Sequence, residues 1–265
     1  MTSTERRSSY SQSLERGLAI LSAFRSGRPL LGISELGREI GLSRSTTHRY
    51  VATLTALGYL DQDAASKKYR LGPRVLDLGF SAIQSMELRE LGAPYLQKLS
   101  DETGYTVNMA ILDDLDIVYV DRYRNSQAGQ RDIDLNLHVG ARLPAYCTSL
   151  GKVLLAHLPD EERASRLERI DFSRRGPNTI TSKQALSAEL ELVRKQGYAI
   201  NNEELAYGLR SIAAPVLEHD GAAAGAINLA VHSSMVSSAD MGVRLGPVLT
   251  RTAADISARL GYRAH

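Results

Sequence analysis

With 265 residues and 43% hydrophobic content, the chain can bury ample core and has length for one or two domains. One cysteine excludes an intramolecular disulfide framework and points to a reducing cytoplasm, and the six histidines show no Cys/His spacing of the kind zinc sites use. The formal charge of +2 is unevenly spread: the first 80 residues hold 12 Lys+Arg against 7 Asp+Glu, net +5, and the remainder 20 against 23, net −3. That segregation favours a nucleic-acid module joined to a domain with another task. The low-charge apolar run Gly221 to Val231 falls well short of the roughly 18 residues that a membrane span requires.

Met1 to Ser13 is rich in Ser, Thr and Arg without an apolar centre, which predicts a disordered arm over 1–13 rather than a signal peptide. Leu14, Leu18 and Leu21 then share a helical face, with Ile20 and Phe24 near its edge, and Arg25 to Pro29 closes this first helix. Ser34 opens a second short helix carrying Leu36 and Ile40, and Gly41-Leu42 turns tightly into a third. In the third helix Ser43 is a cap and Gly58 a stop. Thr47, Tyr50, Val51 and Leu54 fall on one side and Arg44, Ser45, Thr46, His48 and Arg49 largely on the other. This is the spacing of a helix-turn-helix. Tyr59 to Asp61 and Lys68 to Leu71 predict two strands about a polar turn, a β-hairpin wing. The polar face of the third helix, opened by Ser43, suits base edges in a major groove, while Lys67, Lys68 and Arg70 suit phosphates alongside. Residues 14–73 are therefore expected to form a winged helix-turn-helix DNA-binding domain.

Val75, Leu76, Leu78, Gly79, Ile83 and Met86 predict a linker helix over 74–86, too apolar for a solvated spacer and suited to packing against another subunit. From residue 87 to 265 the pattern is α/β. A helix carries Leu88 to Thr103 with Pro94 inside it and Gly104 at its end. Strands follow at Thr106–Leu112, Ile117–Tyr123 and Ile133–Leu137, the first two joined by a turn at Asp113-Asp114. Helices are expected at Thr148–His157, Pro159–Ile170 and Gln184–Gln196, the last opened by a capping box of Thr181 and Gln184. Strands at Ile212–Glu218 and Ala224–His232 and one closing helix capped by Ser238, running through Val243 to Leu260, complete a mixed sheet with helices around it.

Two stretches of this second domain invite chemistry. From Gly140 to Ala156 a small-residue loop enters a helix whose cap is Thr148 or Ser149, which makes either an ordinary helix start or a receptacle for a small carboxylate at the positive end of a helix dipole. Cys147 is either a small apolar filler or a nucleophile served by His138, His157 or His232. From Gly197 to Pro215, polar Asn201 to Glu204 predict a loop over the sheet, with Glu203 and Glu204 either solvated or an acid pair.

The winged segment with Ser43-Arg-Ser-Thr-Thr-His-Arg-Tyr, the run Ser149-Leu-Gly-Lys-Val-Leu-Leu-Ala and the run Gly208-Leu-Arg-Ser-Ile-Ala-Ala-Pro-Val together resemble the IclR family of bacterial transcriptional regulators, over Ser11 to Gly261. Arg142 to Lys152 and Asn178 to Ser182 look most like the branch that controls β-ketoadipate pathway and related aromatic-acid genes. The resemblance implies an α+β chain: an N-terminal winged helix-turn-helix, a dimerising linker helix and a C-terminal GAF-like mixed α/β effector-binding domain. It implies double-stranded operator DNA and a small organic acid, aromatic or dicarboxylic, as partners, a homodimer or dimer of dimers, RNA polymerase as a further candidate partner, no cofactor and no catalytic or metal site. Family pocket positions fall on Thr148, Ser149 and Leu150, on a strand holding Asp132 and Leu135, on Asn201 and Ser211, and on Asn228 and Ala230. Tyr146 and Cys147 adjoin them, and Tyr146 and Leu150 suit the apolar body of an acid. Asn201 stands where glyoxylate-responsive relatives carry an acidic residue, and Asn228 and Ala230 where they carry serines, which leaves room for a larger acid. A carboxylate-acting enzyme fused to a DNA-binding module is the alternative.

Overall fold

The computed structural model describes residues 10–25, 27–124 and 137–263, so residues 1–9 of the arm expected over 1–13 and residues 133–136 of the strand expected over 133–137 lie outside the described residues, while Leu137 is not in a strand. The chain divides into Met1–Ser85 and Met86–His265.

Among the described residues, the first unit holds three helices, a hairpin and a fourth helix. α1 (Gln12–Ser22) is capped by Ser11, whose hydroxyl accepts from the Leu14 amide, so helix already occupies the last two positions of the expected arm. Its leucine face does not build the core: Leu14 is 64% exposed and Leu18 54%, while Ile20 and Ala23 are buried. The flank one residue round from the leucines packs against Leu31, Leu36, Val51, Leu60 and Tyr69 instead. α2 (Ile33–Glu39) starts at Gly32, not Ser34, and the Glu35 carboxylate accepts the Gly32 amide at 2.8 Å. Gly41, at φ +68°, supplies the left-handed turn, and α3 (Arg44–Ala56) follows with Ser43 as its cap. The wing pairs β1 (Leu60–Gln62) with β2 (Tyr69–Leu71), Leu60 opposite Leu71 and Gln62 opposite Tyr69. α4 (Arg74–Gln84) buries none of its residues, and Leu76, Leu78 and Phe80 are exposed.

The second unit opens with α5 (Glu87–Thr103), closed by left-handed Gly104. β3 (Thr106–Asp113) and β4 (Asp116–Tyr123) form a hairpin, followed by an unforeseen short strand β5 (Arg142–Pro144). Then come α6 (Ser149–Ala156), α7 (Asp160–Arg169), α8 (Lys183–Gln196), β6 (Ala199–Asn202), β7 (Leu209–Leu217) and β8 (Ala223–His232). The sheet order is β5-β4-β3-β8-β7-β6, and every neighbouring pair is antiparallel, not mixed as expected. Two further details differ from expectation. Ser182, rather than Thr181, caps α8, because its hydroxyl accepts the Ala185 amide. The closing helix is two, α9 (Ser238–Arg244) capped by Ser237 and α10 (Gly246–Arg259), since the missing amide of Pro247 is tolerated only in a first turn, and Val243 is exposed.

The two faces of the sheet carry different cores. Val107, Met109, Ile212, Ile227 and Leu229 point to a cluster shared with α5, α9 and α10, whereas Ala110, Ala199, Ala213 and Ala226 point to α6 and α8. Alanines let α6 approach the sheet closely, and Gly151 lets α6 close onto the turn that precedes it, where a Cβ would lie 2.2 Å from the Ala145 carbonyl oxygen. Gly151→Ala is expected to destabilise the unit by about 1–3 kcal/mol through this overlap, read as a lower urea midpoint at unchanged m-value.

Candidate DNA-reading face and effector pocket

On α3 the cap and core positions fix the rotation of the helix. Ser43 accepts the Thr46 amide at 3.3 Å, Thr47 is buried with its hydroxyl donating to the Ser43 carbonyl at 2.9 Å, and Val51 is fully buried. Arg44, Ser45, His48 and Arg49 are consequently exposed, and Arg44, Ser45 and His48 line one shallow depression. Ser43 and Thr46 are bound to each other, hydroxyl to hydroxyl at 2.9 Å. On the wing Lys67 and Arg70 are exposed, but Lys68 Nζ sits 3.1 Å from the Glu35 carboxylate, whose carboxyl the Gly32 amide and then that ammonium hold below its ordinary range. Lys68 is thus less available to phosphate than its two neighbours.

In the second unit, register places a polar patch on the α6 side of the sheet. Asn201, Ser211, Ala230 and Thr106 form one row across β6, β7, β8 and β3, and Asn228, Asn108 and Arg122 share the adjoining row. Ser149, the first residue of α6, meets the patch from above, with its Oγ 2.7 Å from Ser211 Oγ in a fully buried pair. Asn201 donates to the Cys147 carbonyl at 2.7 Å and accepts the Glu204 amide at 3.1 Å, so it ties the loop before α6 to β6. Asn108 donates to Asn228 Oδ1 at 2.8 Å. Ala230 stays half-exposed on a strand between two others, although its row neighbours Ser211 and Thr106 are buried. The sheet is open above it.

The expected residues divide unevenly. Ser149, Asn201, Ser211, Asn228 and Ala230 are brought together, and Leu150 is fully buried in the apolar cluster on the same side of the sheet. Thr148 is the α6 cap, but its hydroxyl is spent, accepting the Gly151 amide at 3.1 Å and donating to the Ala145 carbonyl at 3.3 Å. Tyr146 is buried against Phe172 and donates to the Ser173 carbonyl at 2.5 Å, which commits its hydroxyl to structure. Asp132 and Leu135 lie outside the described residues. Cys147 is buried, its thiol pushed up to about 12 by that burial, and its Sγ reaches only the Pro144 carbonyl at 3.8 Å. His138, His157 and His232 bond instead to Val139, Val153 and Ser234. None of the three histidines bonds the thiol, and burial keeps it protonated.

Asn201 and Asn202 belong to a strand rather than a loop, and Glu203 and Glu204 are neither solvated nor an acid pair. Glu203 sits at φ +57° and accepts the Gly208 amide at 2.7 Å. Glu204 is buried and meets Lys152 at 2.7 Å. Lys152 itself is 1% exposed and also donates to Glu189 at 2.9 Å and to the Ile200 carbonyl at 2.7 Å. Burial raises the Glu204 carboxyl above its ordinary value and Lys152 pulls it back.

Two family models account for nearly the whole chain: the IclR helix-turn-helix domain over residues 13–64 and the bacterial transcriptional regulator IclR C-terminal domain over residues 80–258. The chain belongs to the IclR family. It is 36% identical over 251 residues to the Pca regulon regulatory protein of Pseudomonas putida, covering 95% of this chain and 84% of that protein. It is 34% identical over 248 residues to the p-hydroxybenzoate hydroxylase transcriptional activator of Acinetobacter baylyi, covering 93% and 91%. A crystal structure from Rhodococcus sp. RHA1, described as that of a transcriptional regulator, superimposes with a TM-score of 0.80 at 39% identity, over 95% of this chain and 99% of that one. As an IclR-family protein it is a ligand-responsive, DNA-binding transcriptional regulator with a winged helix-turn-helix and a C-terminal effector domain. These relatives are regulators, and nothing supports the fused-enzyme alternative. No helix among the described residues is long and apolar enough to cross a membrane.

Sequence reasoning missed Thr106, Asn108, Arg122 and Lys152 in this IclR domain. Asn108 and Arg122 sit in alternating strands whose pattern announces only that one face differs from the other. Their common row depends on pairing register across three strands.

Proposed function

We propose that this regulator controls genes for the breakdown of aromatic acids in the cytoplasm and that its effector is a small organic acid held between α6 and the sheet. The observation that carries this reading is the open polar floor over Ala230, where the Ser149–Ser211 hydroxyl pair and the first-turn amides of α6 converge. The hydroxyls and amides receive a carboxylate, and Leu150 offers apolar surface to the body of the acid. The names of the Pseudomonas and Acinetobacter relatives support an aromatic acid. A thermal-shift screen of aromatic and aliphatic acids tests this directly, since a ligand of the folded state raises Tm in proportion to RT ln(1 + [L]/Kd). A flat response across the panel overturns it.

On DNA, α3 enters a major groove, with Ser43 to Arg49 at base edges and backbone and Lys67 and Arg70 on phosphates. Arg44→Ala or Arg49→Ala is expected to weaken specific operator binding by ~1–3 kcal/mol, whereas Lys67→Ala weakens all sequences alike and lowers the salt slope by about 1. Lys68→Ala lowers that slope less, because Glu35 already holds the charge. Fluorescence anisotropy over a salt series separates the three.

Dimerisation through the exposed apolar face of the first unit completes the reading. Leu14, Leu18, Leu21, Leu54 and Leu78 line an apolar groove of about 490 Å³, and α4 adds exposed Leu76 and Phe80. That surface suits a second copy, as a dimer or dimer of dimers on a pseudo-palindromic operator. Sedimentation at micromolar concentration should show no stable monomer.

A further inference from the structure

We propose that Asn108, paired with Asn228, is a specificity residue that reads a hydrogen-bond-donating substituent, a hydroxyl in the first instance, at the end of the effector remote from its carboxylate. This rests on the pocket proposed above and adds to it a second recognition point and a narrower ligand class: hydroxy acids rather than acids in general.

Asn108 is 1% exposed and in the middle of the sheet, on β3 between β4 and β8. A buried carboxamide is costly unless its donors and its acceptor are used. Asn108 donates one N–H to Asn228, yet its Oδ1 accepts no hydrogen bond among the described residues. Exchanging the assigned oxygen and nitrogen of both amides moves the spare oxygen to Asn228 but keeps it within the pair, because two carboxamides that share one bond always leave one oxygen over. The orphan acceptor faces the same side of the sheet as Ser211 and Ala230, in the row next to theirs.

The spacing between the two recognition points sets the size of what joins them. Ser211 is two strands and two residues away from Asn108. With a strand spacing of about 4.8 Å and a rise of about 3.4 Å per residue, their Cα atoms lie about 12 Å apart. That accommodates one six-membered ring with para-disposed groups and a hydrogen bond at each end. Half-exposed Ala230 lies between the two points and presents only a methyl group beneath the ring. A carboxylate at the Ser149 end leaves the other substituent at the Asn108–Asn228 pair, where a donating atom meets the oxygen the pair leaves over.

The test uses matched acids with and without the donor: 4-hydroxybenzoate against benzoate, and 3-hydroxybenzoate against both, titrated by calorimetry into the full-length protein. The wild type is expected to prefer 4-hydroxybenzoate over benzoate by about 10-fold, the worth of one hydrogen bond to a buried acceptor. Asn108→Leu is expected to erase that preference while leaving benzoate affinity in place. Asn108→Asp, which keeps an acceptor, is expected to retain a hydroxyl preference. Equal wild-type affinity for the matched acids overturns this inference and leaves the carboxylate pocket standing, and it does so even if no variant folds. Binding of no acid in the aromatic and aliphatic panel removes the pocket itself, and the inference falls with it. An unchanged preference in a folded Asn108→Leu protein moves the reading of the hydroxyl to another residue.

Discussion

Lys152→Ala is expected to lower the stability of the effector domain by roughly 3–5 kcal/mol, a fall in Tm of about 10 °C, the largest effect of any single truncation considered for this chain. The ammonium is buried on the inner side of α6 and spends its three protons on Glu189, Glu204 and the Ile200 carbonyl. Without it, Glu204 keeps a carboxylate in a site where its Oε2 already accepts no hydrogen bond among the described residues. The pH dependence carries a sign. Burial holds the Glu204 carboxyl above its ordinary value even beside Lys152, so the folded state binds that proton more tightly than the unfolded one. Stability from this group therefore falls as pH rises through the interval between the two values. Removing Lys152 widens the interval, so the deficit should be greatest near neutral pH and should shrink on acidification as Glu204 takes up its proton. The double variant Lys152→Met, Glu204→Gln replaces the charges with groups of similar volume and should recover most of the loss. Urea unfolding at neutral and mildly acidic pH checks both statements; a Lys152→Ala loss that does not vary with pH would assign the effect to packing alone.

The DNA-reading unit was more legible in the sequence than the effector domain, and the reason is the range of the interactions. Ser43, Thr46 and Thr47 are capped or bonded within four residues of one another, and Gly41 supplies its turn alone, so α3 and its exposed face follow from local chemistry. Leu14 and Leu18 misled because a helix with two apolar flanks does not declare which one docks, and here the flank of Ile20 and Ala23 does. The effector site is held by partners far apart in the chain: 120 residues separate Asn108 from Asn228, 62 separate Ser149 from Ser211, and 52 separate Lys152 from Glu204. A lysine in the first helical turns after a small-residue loop reads as solvated until both carboxylates are found. β6 was hidden for a related reason, since an edge strand ending in Asn201-Asn202 has the composition of a loop and is a strand only because β7 pairs with it.

Ser149→Asp is expected to abolish the effector response while leaving effector-free operator binding nearly intact. Ser149 is the first residue of α6, fully buried, and its hydroxyl meets Ser211 at 2.7 Å. An aspartate there puts its own carboxylate among the first-turn amides and within reach of the Ser211 hydroxyl, the groups proposed to receive the carboxylate of the acid. The first-turn amides and the Ser211 hydroxyl offset part of the cost of burying that charge at the start of the helix. The effector does not tolerate it, because two like charges in a poorly hydrated site cost several kcal/mol, enough to weaken binding by roughly 100-fold or more. The DNA-reading residues lie in the other unit and keep their contacts. Calorimetry with the acid that gives the largest thermal shift, alongside anisotropy with operator DNA, measures the two effects on one preparation. Cys147→Ala is the matched control two residues away: its thiol is buried, protonated and bonded only weakly to the Pro144 carbonyl, so the response should change little. If Ser149→Asp instead bound the acid as the wild type does, the carboxylate would have to sit away from the start of α6, and the Arg122 row of the sheet would become the place to look for it.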